Sequence, residues 1–398
     1  MRIALVGASM RIRAFVEALK SDYADSHQIC GLMDIDEGKM LGFNEVVGLE
    51  LPCYTDFDHM CDKVKPDLLL ISTVDCFHRD YIVRALDRKI SCIAEKPLCV
   101  NAEQCCDIIA AQQRNPEVFA ATSHNARYHV AARAVKKLLD DGVIGQVNSV
   151  NYTEMLDQEH GTSYFRRWNS IKAISGGLAI HKASHHFDKI NWWLNSKAKT
   201  VNAYGGLRCF GADASPFRGH HCNTCPYFDQ CAYAIDYEKE EIYHKLFFKH
   251  NHAGAYRPDR CVFSPEIDIE DFISAGIEYG NGVLVNYTLS AHCNYEGETI
   301  IFEGNKGRLE MIRRKRPEGE FSSVEIFRFG TTKPEKIDLK LESGTHGGAD
   351  KRLYRDLFGG EKSGRLATLD DGIQAVLVGV AVNESIKTGQ SIDVASLI

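Results

Sequence analysis

Short apolar runs alternate with segments of helical periodicity from Arg2 to about residue 123, and this alternation restricts the fold more than any other feature of the chain. RIALVG at 2–7 reads as a buried strand and 11–20 as a helix. QICGLM at 28–33, DLLLIST at 67–73, ISCIAEKPL and VFAATSHN read as further strands, separated by helical stretches such as HRDYIVRALDRK and Ala102 to Gln113. Strand–helix alternation of this kind predicts a parallel sheet with helices on both faces. Such sheets bind ligands beyond the carboxyl ends of their strands. The positions singled out are Gly7–Arg13, Asp34, Thr73–His78, Glu95–Pro97 and His124–Arg127.

The first of these is a reduced phosphate loop. A dinucleotide fingerprint is G-x-G-x-x-G, and the chain has Gly7-Ala8-Ser9-Met10-Arg11-Ile12. Only the first glycine is kept, but a strand precedes the loop and a helix follows it. Asp34, at the end of the second strand, can accept hydrogen bonds from an adenosine ribose and repel a 2′-phosphate, which favours NAD over NADP. The alternative for Asp34 is a helix N-cap. The expected cofactor set is Gly7, Ser9, Met10, Arg11, Asp34, Ser72, Thr73, His78, Glu95 and Lys96. Lys96 follows a buried strand at the sheet edge where a nicotinamide ring would lie, and Pro97 holds the backbone extended or turned.

After residue 124 the pattern changes. RYHVAARAVKKLLDDGVIG is a helix closed by Gly142, and VNSVNYTEML alternates as a strand. TVNAYGGLRCF, DFISAGIEYGNGVLVNYTLSA, ETIIFEGNKGRLEMI and SSVEIFRFG supply further strands, with YGNG and EGNKG as hairpin turns. A late helix covers Asp370 to Thr388. The expected fold class is α/β: an N-terminal Rossmann-type parallel sheet over residues 1–123, then an α+β domain over 124–398 built on a large, mostly antiparallel open sheet.

One stretch of the second half concentrates protonic side chains. In GGLAIHKASHHFD, Gly176 to Asp188, the residues Ile180, Ala183, Phe187, Ile190 and Leu194 form an apolar helical stripe through Asn195. His181, His185, Asp188 and Trp192 fall roughly opposite it, with Lys182 alongside. Imidazoles beside a carboxylate and an ammonium suit proton transfer near neutral pH; a solvated helix face would present the same residues.

A net charge of −7, with no basic stripe to offset it, argues against nucleic acid as the main partner. Arg313 to Arg316 is expected to be a solvated hairpin end. No apolar run reaches the roughly 20 residues of a bilayer span, and no signal-peptide pattern precedes the first strand, so a cytoplasmic protein is expected. Of the 14 cysteines, Cys30, Cys92 and Cys293 read as small core residues. Cys222, Cys225 and Cys231, with Cys261 further on, lie in a polar insertion at about 209–262. They are expected to form a tetrahedral Cys₄ site for zinc, with an iron–sulfur cluster as the alternative.

The pieces ALVGASMRIR, LLLISTVDCFH, CIAEKPL, SHNARYHVAARAVKKLLDDGVIGQV, GGLAIHKASHHFDKINWW and LDDGIQAVLVGVAVNESIKTGQSIDV together resemble the glucose–fructose oxidoreductase / inositol dehydrogenase family along the whole chain. The resemblance implies Lys96 as a substrate-positioning and catalytic lysine, His185 as the base and a cis peptide before Pro97. It also implies a homo-oligomer, dimer or tetramer, joined through the open face of the sheet. The family pattern has Asp at the position of His181 and a small or apolar residue at Lys182, and both are counted here with the catalytic residues. Arg127, Tyr164, Arg167, Trp168, Lys182 and Asp188 are the expected substrate contacts. The implied activity is NAD-dependent oxidation of a secondary hydroxyl of a sugar, glycoside or polyol. The alternative is a glycosidase of the same fold that oxidises its sugar transiently and eliminates the aglycone. A metal hydrolase using His181 and His185, and a non-catalytic sensor with weakened nucleotide binding, are further rivals.

Overall fold

The computed structural model describes residues 1–250, 252, 255–316, 319–339 and 345–398. Its first sheet contains β1 (Arg2–Val6), β2 (Gln28–Met33), β3 (Cys53–Tyr54), β4 (Leu68–Ile71), β5 (Ser91–Ala94) and β6 (Ala120–Thr122). They lie in the order β3-β2-β1-β4-β5-β6, all parallel. The order reverses at β1, so the ends of β1 and β4 open the crevice in which a doubly wound sheet takes its ligand. The apolar runs make short strands whose side chains are buried from both faces, as in β4.

The second sheet contains β7 (Val147–Asp157), β8 (Ala198–Gly206), β9 (Phe272–Tyr279), β10 (Leu284–Cys293), β11 (Glu296–Gly304), β12 (Gly307–Arg316), β13 (Gly319–Arg328) and β14 (Glu335–Ile337). β15 (Ala367–Thr368) returns to the first sheet, antiparallel to β6, and β16 (Ile392–Asp393) finishes the second. The second sheet has the order β14-β13-β12-β11-β7-β10-β9-β8-β16 and is antiparallel except where β10 runs parallel to β7. Its strands alternate, as along β7, where Val150, Tyr152, Glu154 and Leu156 face inward. The exposed face is polar at its centre, where Asn286 meets Asn151 and Thr288 meets Thr153.

Helix Leu369–Thr388 opens with a capping box between Thr368 and Asp371 and packs between helix Ser184–Leu194 and β8. β15 and helix Ala349–Leu357 join the nucleotide side: Leu353, Tyr354 and Phe358 share a core with Phe15, Ile3 and Leu5. A division at residue 123 is therefore cleaner in sequence than in space. Among the described residues no helix is long and apolar enough to cross a membrane.

Candidate active site

The Gly-Gly turn at 176–177 sets the geometry of the histidine segment. Gly176 and Gly177 have φ of +72° and +71°, and a Cβ on Gly176 would lie 2.7 Å from the Ile180 side chain. These glycines reverse the backbone and pack inward; the segment's opening onto the cleft comes from other residues. The helix predicted through Asn195 is interrupted, with one turn at Leu178–His181 and a second helix at Ser184–Leu194. The apolar stripe behaves as expected, with Ile180, Ala183, Phe187, Ile190 and Leu194 all buried. The polar face does not. His181, Lys182 and His185 line a cleft of about 1090 Å³ between the sheets, while Asp188 is 0 % exposed and turned away from it.

Asp188 makes a bidentate ion pair with Arg127, both contacts at 2.7 Å, and Arg127 also lies 3.1 Å from Asp371. Neither Arg127 nor Asp188 lines the cleft, so these two expected substrate contacts are instead an internal brace between the loop after β6 and helix Ser184–Leu194. Tyr164, Arg167 and Trp168 do line it. The Arg167 guanidinium is held by the Ser163 carbonyl and hydroxyl, and the rings of Tyr164 and Trp168 stand edge-on to His181 at 5.5 and 5.4 Å.

The two catalytic-candidate histidines differ in their partners. His181 Nδ1 is bonded to the Asp75 carboxylate, and its Nε2 lies 3.0 Å from Asn169 Nδ2. Donation by Nδ1–H and acceptance at Nε2 satisfies both contacts with a neutral ring. Burial and the Lys96 and Arg167 charges hold its pKa well below the ordinary value. His185 Nδ1 is buried without a hydrogen-bond partner among the described residues. Burial, then Lys96 and His124, also keep this ring neutral. Of the two, His185 has the uncommitted ring.

Lys96 follows β5, and the Lys96–Pro97 peptide is cis, as the resemblance implied. Lys96 Nζ donates to the His181 carbonyl at 2.9 Å. Burial lowers its pKa to about 8 despite the opposing pull of Asp75 and Glu95. Lys182 is the reverse case: against the cost of burial, Tyr164, Glu154 and Glu296 keep its ammonium charged. Lys182 Nζ lies 3.3 Å from Glu154 Oε1.

On the nucleotide side, Gly7 has φ +98°, and a Cβ there would come within 2.4 Å of the Ser72 carbonyl. This one glycine is required for the tight turn. Ser9 caps helix Met10–Asp22 by accepting from Ile12 N, and its hydroxyl lies 2.7 Å from that of Ser72. Asp34 accepts from Ala8 N at 2.8 Å and pairs with Lys39 at 3.2 Å; the N-cap of the next helix is Asp36. Arg11 is tied to Glu95 at 2.8 Å and to Asp350 at 3.0 Å. His78 lies between the Pro97 and Thr73 carbonyls, 2.8 and 3.2 Å from its two ring nitrogens, and so joins two strand-end loops. Ser9, Met10, Arg11, Asp34, Ser72, Thr73, His78, Glu95 and Lys96 all line the cleft.

Several cleft residues were not anticipated. Asp75 belongs to the Thr73–His78 strand end but carries no sequence signal of its own. Glu154, His160, Glu296, Glu298, Arg313 and Lys315 also line the cleft. The Arg313–Arg316 run does end a hairpin, with Arg316 opposite Gly319 and Lys315 exposed, but Arg313 departs from the solvated reading by pairing with Glu298 at 3.2 Å. The period-2 alternation of β12 puts Arg313 and Lys315 on the cleft side of the strand.

The Cys₄ centre is not formed. Among the described residues, no three His, Cys, Asp or Glu side chains are placed to hold a metal ion. Cys222, Cys225, Cys231 and Cys261 line a separate cavity of about 260 Å³. Zinc and an iron–sulfur cluster were expected to staple a loop with no core of its own, and that premise fails. Phe210 stacks on Phe165 at 4.1 Å, Tyr233 packs on Phe263, and the buried Asp259 binds His221 and Arg257. All the cysteines are free; Cys30 and Cys92 are buried as expected and Cys293 is partly exposed.

Residues 1–123 match the family pattern described as the NAD-binding Rossmann fold of an oxidoreductase family, and residues 136–394 match its C-terminal alpha/beta domain. The chain is 32% identical over 404 residues to YteT of Bacillus subtilis (strain 168), named as an oxidoreductase, covering 96% of this chain and 94% of that one. It is 26% identical over 178 residues to the inositol 2-dehydrogenase of Salmonella paratyphi B (strain ATCC BAA-1250 / SPB7), covering 44% and 50%. An oxidoreductase from Agrobacterium radiobacter in complex with NAD+, L-tartaric acid and magnesium superposes with a TM-score of 0.66 at 16% identity, over 100% of this chain and 99% of that one. Two matched domains spanning the cleft between them leave one assignment: the chain belongs to the glucose–fructose oxidoreductase / inositol dehydrogenase (GFO/IDH/MocA) oxidoreductase family.

Proposed function

We propose that the chain is an NAD-dependent oxidoreductase acting on a secondary hydroxyl of a sugar, glycoside or polyol. The observation that carries this reading is a single cleft with a nucleotide cradle at one end and Lys96, His185 and Lys182 at the other. The cradle fits the dinucleotide: Gly7 leaves no room for a side chain against Ser72, Ser9 caps the N-terminus of helix Met10–Asp22, and Asp34 follows β2. The bound nicotinamide would supply the redox chemistry by exchanging a hydride with the substrate carbon.

The side chains then have separable tasks. His185, neutral and lining the cleft, takes the hydroxyl proton. Lys96, anchored on the His181 carbonyl, holds a positive charge near the oxygen that becomes negative. Asp75 and Asn169 fix His181 in one tautomer, making it a positioning residue behind Lys96. Lys182 and Glu154 meet the substrate's other hydroxyls, with Tyr164, Arg167 and Trp168 as the wall. Asp34 supports NAD over NADP, and its pairing with Lys39 tempers that preference.

The redox-neutral glycosidase is kept as a second reading because of one relay. Glu296 lies 2.8 Å from His160 Nδ1, and His160 Nε2 lies 2.8 Å from the Tyr164 hydroxyl, so a proton can be delivered to a leaving group in the cleft. Assays with NAD and panels of polyols, free sugars and aryl glycosides separate the two. Accumulating NADH supports the dehydrogenase, aglycone release without it supports the glycosidase, and no nucleotide binding at millimolar NAD removes both. A homo-oligomer formed through the open face of the second sheet belongs to the same proposal and is checked by light scattering.

A further inference from the structure

The Cys-bearing insertion, which adds no strand to either sheet, reaches across to the nucleotide side. Its helix Glu241–Phe247 crosses to the nucleotide side and lies on helix Glu37–Val47, the helix that follows Asp34. The contact is closely fitted. A Cβ on Gly42 would stand 2.0 Å from the Lys245 carbonyl, and one on Gly38 would stand 2.2 Å from the His250 carbonyl. Two glycines four residues apart make a groove on one helix face that admits the insertion's backbone. Leu246 is buried in the same core as Met40, Phe43 and Val47, and Lys249 and His250 both pair with Glu45 at 2.7 Å.

The docked segment forms part of the cleft. Tyr243, Phe247 and His250 line the cavity together with Asp34, Gly38 and Lys39, the end where the adenosine half of a dinucleotide would lie. Tyr256 packs on Phe247 and accepts a hydrogen bond from Trp168 N at 3.4 Å. The described residues of the insertion therefore reach the cleft at both its nucleotide end and its substrate wall.

We infer that the insertion is the outer wall of the cofactor site, with Tyr243, Phe247 and His250 as additional dinucleotide contacts, and that it holds NAD in place between turnovers. The inference rests on the reading of the cleft as an NAD site. Release of the cofactor requires this segment to part from helix Glu37–Val47, which exposes Leu246 and breaks the Glu45 pairs. Retention of this kind is recorded in the dissociation rate, the quantity through which most affinity differences act.

The test is a displacement experiment on the full chain. Protein loaded with NADH is mixed with excess NAD, and the loss of bound-NADH fluorescence is followed for the wild type, Gly42→Val and Glu45→Ala. Gly42→Val drives a side chain into the Lys245 carbonyl, whereas Glu45→Ala removes only surface ion pairs and leaves the fold to stand if the first variant fails. The expected result is release at least about tenfold faster in Gly42→Val than in the wild type, with Glu45→Ala between them. Equal release rates in the wild type and in each folded variant overturn the inference while leaving NAD binding intact. Failure of every form to bind NADH at millimolar concentration overturns the NAD reading itself, and this inference with it.

Discussion

On its nucleotide side the cleft is lined by the ends of strands, and on its substrate side by the faces of strands and the sides of helices. The first construction uses backbone turns and single residues close to them in sequence: Gly7, Ser9, Asp34 and the 72–78 and 95–97 loops. The second brings together the buried Glu154 on β7 and Glu298 on β11 with the partly buried Arg313 on β12 and Lys182 from the histidine segment, in two opposite-charge pairs. A ligand on the first side would meet local turn geometry. On the second it would meet a charge network whose members offset one another's desolvation only once the fold has brought them together.

The comparison can be broken by substitution, beginning where the effect is largest. His185→Ala is expected to lower turnover by roughly 10²–10⁴-fold, the usual range for a lost general base, with NAD affinity unchanged by calorimetry. His181→Ala, whose nitrogens are already engaged by Asp75 and Asn169, should cost less and act mainly through the position of Lys96. If His181→Ala abolishes turnover and His185→Ala does not, the roles are reversed.

Asp188→Ala should destabilise the fold by about 3 kcal/mol, near the low end for breaking a buried ion pair, because Asp371 still reaches Arg127 at 3.1 Å. Chemical denaturation measures this. A stability unchanged within error would mean that the Arg127–Asp188 brace is dispensable.

Asp34→Ala should weaken NAD binding by roughly 10–100-fold, the value of losing hydrogen bonds to a charged group, and narrow the preference for NAD over NADP. A titration with both nucleotides decides it.

A smaller and more diagnostic effect concerns pH. The pKa of Lys96 is lowered from 10.5 to about 8, so its ammonium is lost as pH rises through about 8, and kcat/KM should fall on that side. His185 is held well below 6.5, so its neutral form should persist through neutral pH and the acidic limb should lie below the ordinary histidine range. Lys96→Arg, which keeps its charge, should move the alkaline limb upward. A limb that stays near pH 8 in that variant would remove Lys96 from the assignment.

The smallest effect is expected at the cysteine insertion. Treatment with a chelator should leave the melting temperature unchanged, since Phe210, Tyr233 and Asp259 hold the loop. A lowered melting temperature would reinstate a metal there.

The nucleotide side was readable because strand–helix alternation is a local pattern and the ligand-binding points of such a sheet are its strand ends. Asp34 and Lys96 needed only their place after a strand. The histidine segment was half readable. Its apolar stripe is a one-dimensional signal, and the residues that carry it are buried. Its polar face is not such a signal, because the break at Lys182 and Ala183 rotates Asp188 away from His181 and His185. Which buried charge meets which is a long-range matter.

Sequence alone therefore determined the doubly wound sheet, the mostly antiparallel second sheet and the family, while Lys96 and His185 as a catalytic pair came only as an implication of the resemblance. Tertiary structure decided that Asp188 braces Arg127, that Asp75 restrains His181 and that Arg313 faces inward rather than solvent. It also showed that the cysteine loop packs on aromatic residues. The physical reason is range: periodicity and turn chemistry act over a few residues, whereas the partner of a buried charge is chosen by strands and helices far apart in the chain.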